Sequence, residues 1–383
     1  MTTGIVDRDI RSYSIKTPKL SLIFHPIAQQ HYRGGRFNAM LLILSVALTF
    51  WVAALASPTY PVEGRWEVLA PITIAPRQEH SVVAVSESTL AIVGGIIPNP
   101  NGEGVNTTNI LQFYDIPSDT WRLAAPAPIE VNHPNVAAVD GKIYLLGGLS
   151  VASDGAWRAF SESWVYDSIE DQWSSLDPIP DGEKRGSAAV AVYDKTIYLA
   201  GGMRTLVPGG PGGEQDTVDF VSAFDTASSK WLDVPKAVKQ IPEGRDHSAS
   251  SVVGSKFYLL GGRLRGQYNV KDTVFILDFK NLQAGWTVSK GRMPTPRGGV
   301  VGGAVDGKIY VMGGEGNSAE GADGIFDEVE VFDTKTETWE KLEPMRLPRH
   351  GGMATSVCGG IYLPGGGIRV GGAPVADLDV YWP

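Results

Sequence analysis

The chain has 383 residues with 46 glycines, 25 prolines and moderate charge, a composition typical of many short strands joined by turns. Its formal net charge of −9 gives no general reason to expect nucleic-acid binding. Its single cysteine, Cys358, excludes an intrachain disulfide and argues against cysteine-based zinc and iron–sulfur sites.

The N-terminal part of the chain has the composition of a targeting region. Residues 1–38 are polar and aperiodic, and we expect a disordered leader. Residues 39–56 form an uncharged apolar run that follows basic residues and ends in small ones, which predicts a signal peptide or an uncleaved signal anchor. The start codon, Met1 or Met40, and the cleavage of this segment stay open.

Both interpretations of the apolar segment place the predicted propeller, residues 57–383, outside the cytosol. We expect a secreted, extracellular or lumenal protein, and the alternative is a single-pass, signal-anchored membrane protein. Contact with a membrane would then be made only through residues 39–56, if they are not cleaved. A sequon at Asn106 agrees with this compartment and is a candidate N-glycosylation site.

A repeated unit occupies the chain after residue 57. Each copy contains a short apolar strand that ends in a glycine doublet, as in the segment Ile143 to Gly148. The doublets recur with a period of about 50 residues, which predicts a propeller. The six doublets are Gly94 and Gly95, Gly147 and Gly148, Gly201 and Gly202, Gly261 and Gly262, Gly313 and Gly314, and Gly365 and Gly366.

Other residues recur in phase with the doublets and complete a four-stranded unit. A strand rich in valine, alanine or glycine precedes the doublet strand, and a strand ending in Asp follows it. A fourth strand carries a tryptophan shortly after this Asp, where we expect it to pack between neighbouring sheets. These tryptophans are Trp121, Trp173, Trp231, Trp286 and Trp339.

The sixth unit lacks a tryptophan strand, because the chain ends at Pro383 soon after Tyr381. An unassigned tryptophan, Trp66, precedes Arg77 by the same separation as the fourth-unit tryptophan precedes its following arginine. We therefore predict that the N-terminal strand around Trp66 completes the sixth blade and leaves no open blade interface.

This combination of glycine doublet, Tyr-Asp and Trp resembles the kelch repeat, and the resemblance covers about residues 64–382. It implies an all-β fold, a six-bladed β-propeller with four antiparallel strands per blade. Kelch propellers include both binding modules and enzymes, so the resemblance leaves the activity open.

Arginines recur at a nearly constant distance before the doublets, where loops leading into the inner strands should share a face with the loops after the doublets. In kelch domains of substrate-adaptor proteins, arginines at this position help to bind acidic peptides, which implies an anion-binding mouth. The alternative, which the repetition favours, is that they brace the blades. These candidate ligand-binding residues are Arg77, whose separation from its doublet is longer by one position, Arg185, Arg245, Arg297 and Arg349.

Three histidines lie at one common distance before their doublets and are further candidates for ligand binding: His80, His133 and His247. Histidine is a common metal ligand. These three come from different blades, the third is not adjacent to the first two, and no carboxylate is paired with them at regular spacing. We therefore predict no metal site and no cofactor, and expect hydrogen-bonded structural histidines.

The leading functional hypothesis is an extracytoplasmic binding module that recognises a protein or glycan ligand, possibly acidic, through this loop face. The alternative is a carbohydrate-active enzyme, epimerase-like or oxidase-like, that uses the propeller mouth. Cys358 lacks the histidine pair of copper oxidases resembling galactose oxidase, and the acidic-Asp-His triplet of plant kelch specifier proteins is absent. Six-bladed sialic-acid epimerases are similar in length, but no motif ties the chain to them, so an enzyme is the less favoured hypothesis.

Overall fold

Six four-stranded antiparallel sheets make up most of the computed structural model, which describes residues 64–207 and 215–383. The predicted leader and signal segment, residues 1–38 and 39–56, lie outside the described residues and stay predictions. Within the described part of the chain, no helix has the length and apolarity needed to cross a membrane.

The structure contains 28 strands and one short 3₁₀ helix among the described residues. The first fourteen strands are β1 (Arg65–Leu69), β2 (Ser81–Ser86), β3 (Thr89–Val93), β4 (Ile96–Pro98), β5 (Val105–Thr107), β6 (Leu111–Asp115), β7 (Thr120–Leu123), β8 (Val136–Val139), β9 (Lys142–Val151), β10 (Trp157–Asp167), β11 (Gln172–Leu176), β12 (Ala189–Tyr193), β13 (Thr196–Ala200) and β14 (Met203–Leu206). The others are β15 (Gln215–Thr217), β16 (Val221–Asp225), β17 (Lys230–Leu232), β18 (Ala249–Val253), β19 (Lys256–Leu260), β20 (Val274–Asp278), the 3₁₀ helix (Phe279–Ala284), β21 (Trp286–Val288), β22 (Val301–Val305), β23 (Lys308–Met312), β24 (Val329–Asp333), β25 (Thr338–Leu342), β26 (Thr355–Val357), β27 (Gly360–Pro364) and β28 (Leu378–Trp382).

The sheets are the blades of a six-bladed propeller, as predicted. From the axis outwards, blade 1 is β2-β3-β6-β7, blade 2 is β8-β9-β10-β11 and blade 3 is β12-β13-β16-β17. Blade 4 is β18-β19-β20-β21, blade 5 is β22-β23-β24-β25 and blade 6 is β26-β27-β28-β1. The inner strands β2, β8, β12, β18, β22 and β26 contact one another in a closed circle, which suits their small side chains.

Blade 6 is closed by the N-terminal strand, which confirms the prediction based on Trp66. Strand β1 pairs antiparallel with β28, and Trp66 lies opposite Tyr381. Their ring centroids are 4.9 Å apart. The two ends of the repeat region are therefore joined in one sheet, and the edge of β28 is covered.

The glycine doublets connect neighbouring blades, which explains why the repeat requires them. Gly313 has a φ of 58°, and a Cβ at this position would lie 2.2 Å from the carbonyl oxygen of Arg349 in the next blade. The N–H of Gly314 donates to that same oxygen at 3.0 Å. The first glycine provides the left-handed turn and the close approach, and the second provides the hydrogen bond.

The repeat tryptophans also act between blades. The Nε1–H of Trp121 donates to the Ala70 carbonyl at 2.9 Å, and that of Trp173 donates to the Ala125 carbonyl at 3.0 Å. Each indole therefore packs its apolar body against its own blade and bonds to the chain segment that arrives from the preceding one.

Candidate functional site

The loops that lead into the inner strands and the loops that follow the doublets meet on one face, as expected. In every blade, the residue after the repeat arginine position pairs with a residue just after the doublet. Six isolated antiparallel bridges join them: Gln78 with Ile96, Asn132 with Leu149, Gly186 with Met203, Asp246 with Arg263, Gly298 with Glu315, and His350 with Gly367.

The repeat arginines lie in the blade interiors and not at the mouth. Arg297 is fully buried, and its guanidinium bonds to the Glu330 carboxylate, to the Gly313 carbonyl at 2.7 Å and to the Val311 carbonyl at 3.0 Å. Burial lowers its pKa, and the neighbouring Glu330 opposes this shift. All five repeat arginines are buried: Arg77, Arg185, Arg245, Arg297 and Arg349.

Each arginine fastens the doublet strand of its own blade, which is the bracing alternative. Arg77 donates to the Gly94 carbonyl at 2.8 Å, and Arg349 donates to the Gly365 carbonyl at 3.0 Å. None of the five lines the cavity described below. Their placement gives no support to the hypothesis that they bind an acidic ligand.

A ring of six residues, one from each blade, surrounds the propeller axis at this face. All six have a positive φ between 49° and 63°. Going round the axis, each backbone N–H donates to the preceding member, through its carbonyl oxygen in five cases and through the Ser187 hydroxyl in the sixth. The ring members are Glu79, His133, Ser187, His247, Gly299 and Gly351.

The first-blade member of this ring is Glu79 and not His80, which corrects the alignment of the three histidines. Strand β2 carries a bulge at Val85, where its pairing with β3 shifts by one residue. Counting back from the doublet by the distance that holds in the other blades therefore ends one residue too late in the chain. His80 is 2% exposed and lies beside Gly95, outside the ring. The longer separation between Arg77 and its doublet already indicated this shift.

Glu79, His133 and His247 come together at the axis, although they belong to blades 1, 2 and 4. The Nε2 atom of His133 lies 3.0 Å from Glu79 Oε2 and 3.0 Å from His247 Nε2. The third separation, between His247 Nε2 and Glu79 Oε2, is 4.0 Å. Among the described residues these are the one group of three that can offer ligand atoms to a common metal ion.

Both imidazoles of this cluster are oriented by polar side chains on the preceding residues. His133 Nδ1 lies 2.7 Å from Asn132 Oδ1, and His247 Nδ1 lies 2.6 Å from Asp246 Oδ1. Burial raises the pKa of Glu79, but the nearby imidazoles outweigh this and bring it to about 2. Burial lowers the pKa of His247, and the positive charge of Arg263 lowers it further.

A second network, centred on Arg263, lies beside the cluster. Its guanidinium bonds to Asp246 at 3.2 Å, to His247 Nε2 at 2.9 Å and to the Glu315 carboxylate. His350 Nδ1 lies 3.4 Å from Glu315. Burial opposes protonation of His350, but Glu315 outweighs it and raises the pKa to about 9. Sequence reasoning missed Arg263 and Glu315, which follow the doublets directly.

These groups form the floor of a cavity of about 360 Å³ on the loop face. The floor residues among its lining are Glu79, His133, Arg263, Glu315 and His350. Apolar and aromatic side chains line its walls and rim: Ile96, Val105, Trp157, Leu206, Val207, Tyr268 and Val370. The cavity therefore combines an apolar rim with buried acids, bases and hydrogen-bonding groups, the composition expected of a ligand site.

The sequence is similar to that of Kelch-like protein terF of Aspergillus terreus, with 37% identity over 335 residues that cover 86% of this chain and 70% of that relative. The family model for the Kelch motif matches residues 132–180. The model described as the KLHDC2/KLHL20/DRC7 Kelch-repeats domain matches residues 203–366. The chain belongs to the kelch-repeat family.

Other kelch-repeat relatives are more distant. Kelch domain-containing protein 3 of Bos taurus is 25% identical over 258 residues, which cover 62% of this chain and 64% of that protein. Kelch-like protein 35 of Mus musculus is 26% identical over 231 residues, covering 60% of this chain but only 32% of that protein. The chain thus spans about a third of the length of this second relative.

A solved structure, that of YjhT, has the same fold. It superimposes with a TM-score of 0.64, covering 80% of this kelch-repeat chain and 95% of that one. The sequence identity is 17%, so the likeness concerns the propeller architecture alone.

Proposed function

We propose that this kelch-repeat protein is a binding module that takes a projecting segment of a partner protein into the cavity on its loop face. The observation that carries this proposal is the exposed apolar rim around a buried polar floor. Tyr268 is 45% exposed, Val207 40% and Val370 36%, and all three line the cavity. Such a collar is the kind of surface that anchors a partner, because a polar floor adds specificity to apolar burial.

Trp157 connects the rim with the floor. Its ring centroid lies 5.5 Å from that of His133, and it stands at the start of β10, which pairs with both β9 and β14. A partner side chain that enters the cavity would pack against this indole and reach the charged groups beneath it. Rigid aromatic side chains in this position often contribute most of the binding energy.

The floor carries charges of both signs, which determines the kind of group it accepts. Glu79 and Glu315 supply negative charge, and Arg263 and His350 supply positive charge. A neutral hydrogen-bonding group, or a group with both donors and acceptors, therefore fits better than a simple anion. The proposed partner need not be acidic, because the repeat arginines that suggested an acidic ligand are buried.

An extracytoplasmic location is part of this proposal. It is supported by the composition of residues 39–56, which is that of a secretory signal. Asn106, the predicted glycosylation acceptor, is exposed on β5, one residue from Val105 in the cavity wall. A glycan at this position would border the cavity and would limit which partners can approach.

The substitution Trp157→Ala is expected to weaken partner binding by about 30-fold, because it removes the central rigid contact of the rim. The partner would be recovered from the medium by cross-linking to the purified protein, and its affinity then measured by biolayer interferometry. Leu123→Ala is the matched control, since Leu123 is an equally apolar residue, 54% exposed, on the outer strand β7. Equal losses for both variants, or recovery of glycans alone, would contradict the proposal.

A second candidate function, an enzyme acting on a small sugar, is favoured by one observation. Glu79 and His133 form an acid–base pair at 3.0 Å, and both line the cavity. On this hypothesis, the purified protein should convert at least one member of a sugar panel, followed by NMR, and His133→Gln should lower the rate at least about 100-fold. A panel without turnover, with and without added metals, would exclude sugar conversion under those conditions and leave the binding module.

A further inference from the structure

The geometry points to a site for a divalent transition-metal ion formed by Glu79, His133 and His247. The three ligand atoms are separated by 3.0, 3.0 and 4.0 Å. With these separations, a single point lies about 2.0 Å from all three atoms, which matches the usual Zn–N and Zn–O bond lengths. The ligand atoms therefore already have the spacing that such an ion requires.

The orientation of the two imidazoles is that of metal ligands held by outer partners. Each Nδ1–H points to an oxygen of the preceding residue, Asn132 for His133 and Asp246 for His247. This leaves both Nε2 atoms, with their lone pairs, directed at one another and at the Glu79 carboxylate. A metal-bound histidine usually donates its other N–H to a carboxylate or carbonyl oxygen in this way.

The backbone also holds the three residues in place. All three are non-glycine ring members with φ values of 52°, 49° and 53°, conformations that cost free energy for ordinary residues. The closed ring of hydrogen bonds fixes the distance between blades 1, 2 and 4 at this level. A site on this ring is therefore formed before any ion binds, which lowers the cost of binding.

Arg263 competes for the same position. Its Nη2 lies 2.9 Å from His247 Nε2, so it occupies the lone pair that an ion would use. The same guanidinium is also held by Asp246 and Glu315, and these contacts remain available when Nη2 withdraws. Ion binding thus exchanges one hydrogen bond of Arg263 for a coordinate bond.

The donor set selects the class of ion. Two imidazole nitrogens and one carboxylate suit Zn²⁺, Co²⁺ or Fe²⁺, whereas Mg²⁺ and Ca²⁺ prefer oxygen donors alone. Glu79 and His133 line the cavity, so an ion has an entry path from the loop face. The ion would then add a Lewis-acidic contact to the floor that proteins or other ligands meet.

Isothermal titration of the full, untagged chain with Zn²⁺ should show one ion per chain, Co²⁺ should give the visible absorption of a nitrogen-ligated ion, and Mg²⁺ should not bind. His133→Gln and Glu79→Gln should each weaken Zn²⁺ binding at least about 100-fold, and Asp246→Asn about 10- to 100-fold. The control is His350→Gln, since His350 lies in the same cavity, is equally buried and pairs with Glu315 instead.

The melting temperature of each variant without metal shows that it is folded, and Zn²⁺ should raise it in the wild type and in His350→Gln only. The absence of one-to-one Zn²⁺ binding by the folded wild type would overturn the proposal, as would an equal loss in His350→Gln. The measurement uses the protein and the metal alone. Its outcome is therefore independent of whether a partner protein binds at the rim.

Discussion

Arg297→Ala is expected to lower the free energy of unfolding by about 3–5 kcal/mol, as for other broken buried ion pairs. The substitution would leave the Glu330 carboxylate, which is fully buried, without its cation. It would also leave the carbonyl groups of Gly313 and Val311 without this donor. The loss combines an unpaired buried charge with unsatisfied backbone groups, and both are costly. Urea unfolding followed by tryptophan fluorescence measures it.

The matched control for this prediction is Arg292→Ala. Arg292 forms a bidentate pair with Asp272, but its side chain is 60% exposed, so the loss should stay below about 1 kcal/mol. The folded fraction of Arg297→Ala should still bind the partner as the wild type does, because Arg297 does not line the cavity. A small loss of stability together with a large loss of binding would show that Arg297 contacts the ligand after all.

The fold could be predicted because its essential contacts recur in phase. A glycine doublet is needed wherever a strand end approaches the arginine carbonyl of the next blade, as Gly313 approaches Arg349. This requirement operates once per blade and leaves a regular trace in the sequence. The count of six, with Trp66 as the missing sixth tryptophan, then identifies the closing strand.

The arrangement of the axial cluster could be predicted only in part. The expectation that His133 and His247 stay apart assumed that blades which are not neighbours do not meet. At the axis this assumption fails, because residues from blades 2 and 4 approach to 3.0 Å. Only the outer parts of the blades are kept apart by the blades between them.

The missing carboxylate was hidden by an insertion. The bulge at Val85 moves Glu79 into the ring position that spacing from the doublet assigned to His80. Spacing from Arg77, which precedes the bulge, gives the right residue. Arg263 and Glu315 had no repeated counterpart, because the residues after the doublets differ from blade to blade. Their role follows only from the bridges that join them to the residues after the arginines.

Trp66 and Tyr381 are expected to stabilise the fold as a coupled pair, although they lie near opposite ends of the repeat region. Tyr381→Ala should cost about 3–5 kcal/mol because Tyr381 is 1% exposed, and burial raises its pKa to about 12. Trp66→Ala should cost less, since this indole is only half-buried. In a double-mutant cycle, the coupling free energy should be about 0.5–1.5 kcal/mol, the usual value for an aromatic pair in contact.

The control cycle combines Tyr381→Ala with Trp231→Ala, a repeat tryptophan that packs in blade 3 and does not share a cluster with Tyr381. These two losses should add to within about 0.5 kcal/mol. Coupling in the first cycle and additivity in the second would locate the interaction in the closed sixth blade. Additivity in both would mean that β1 does not hold the ring shut in solution, since the free energy of closure must pass through the contacts between β1 and β28.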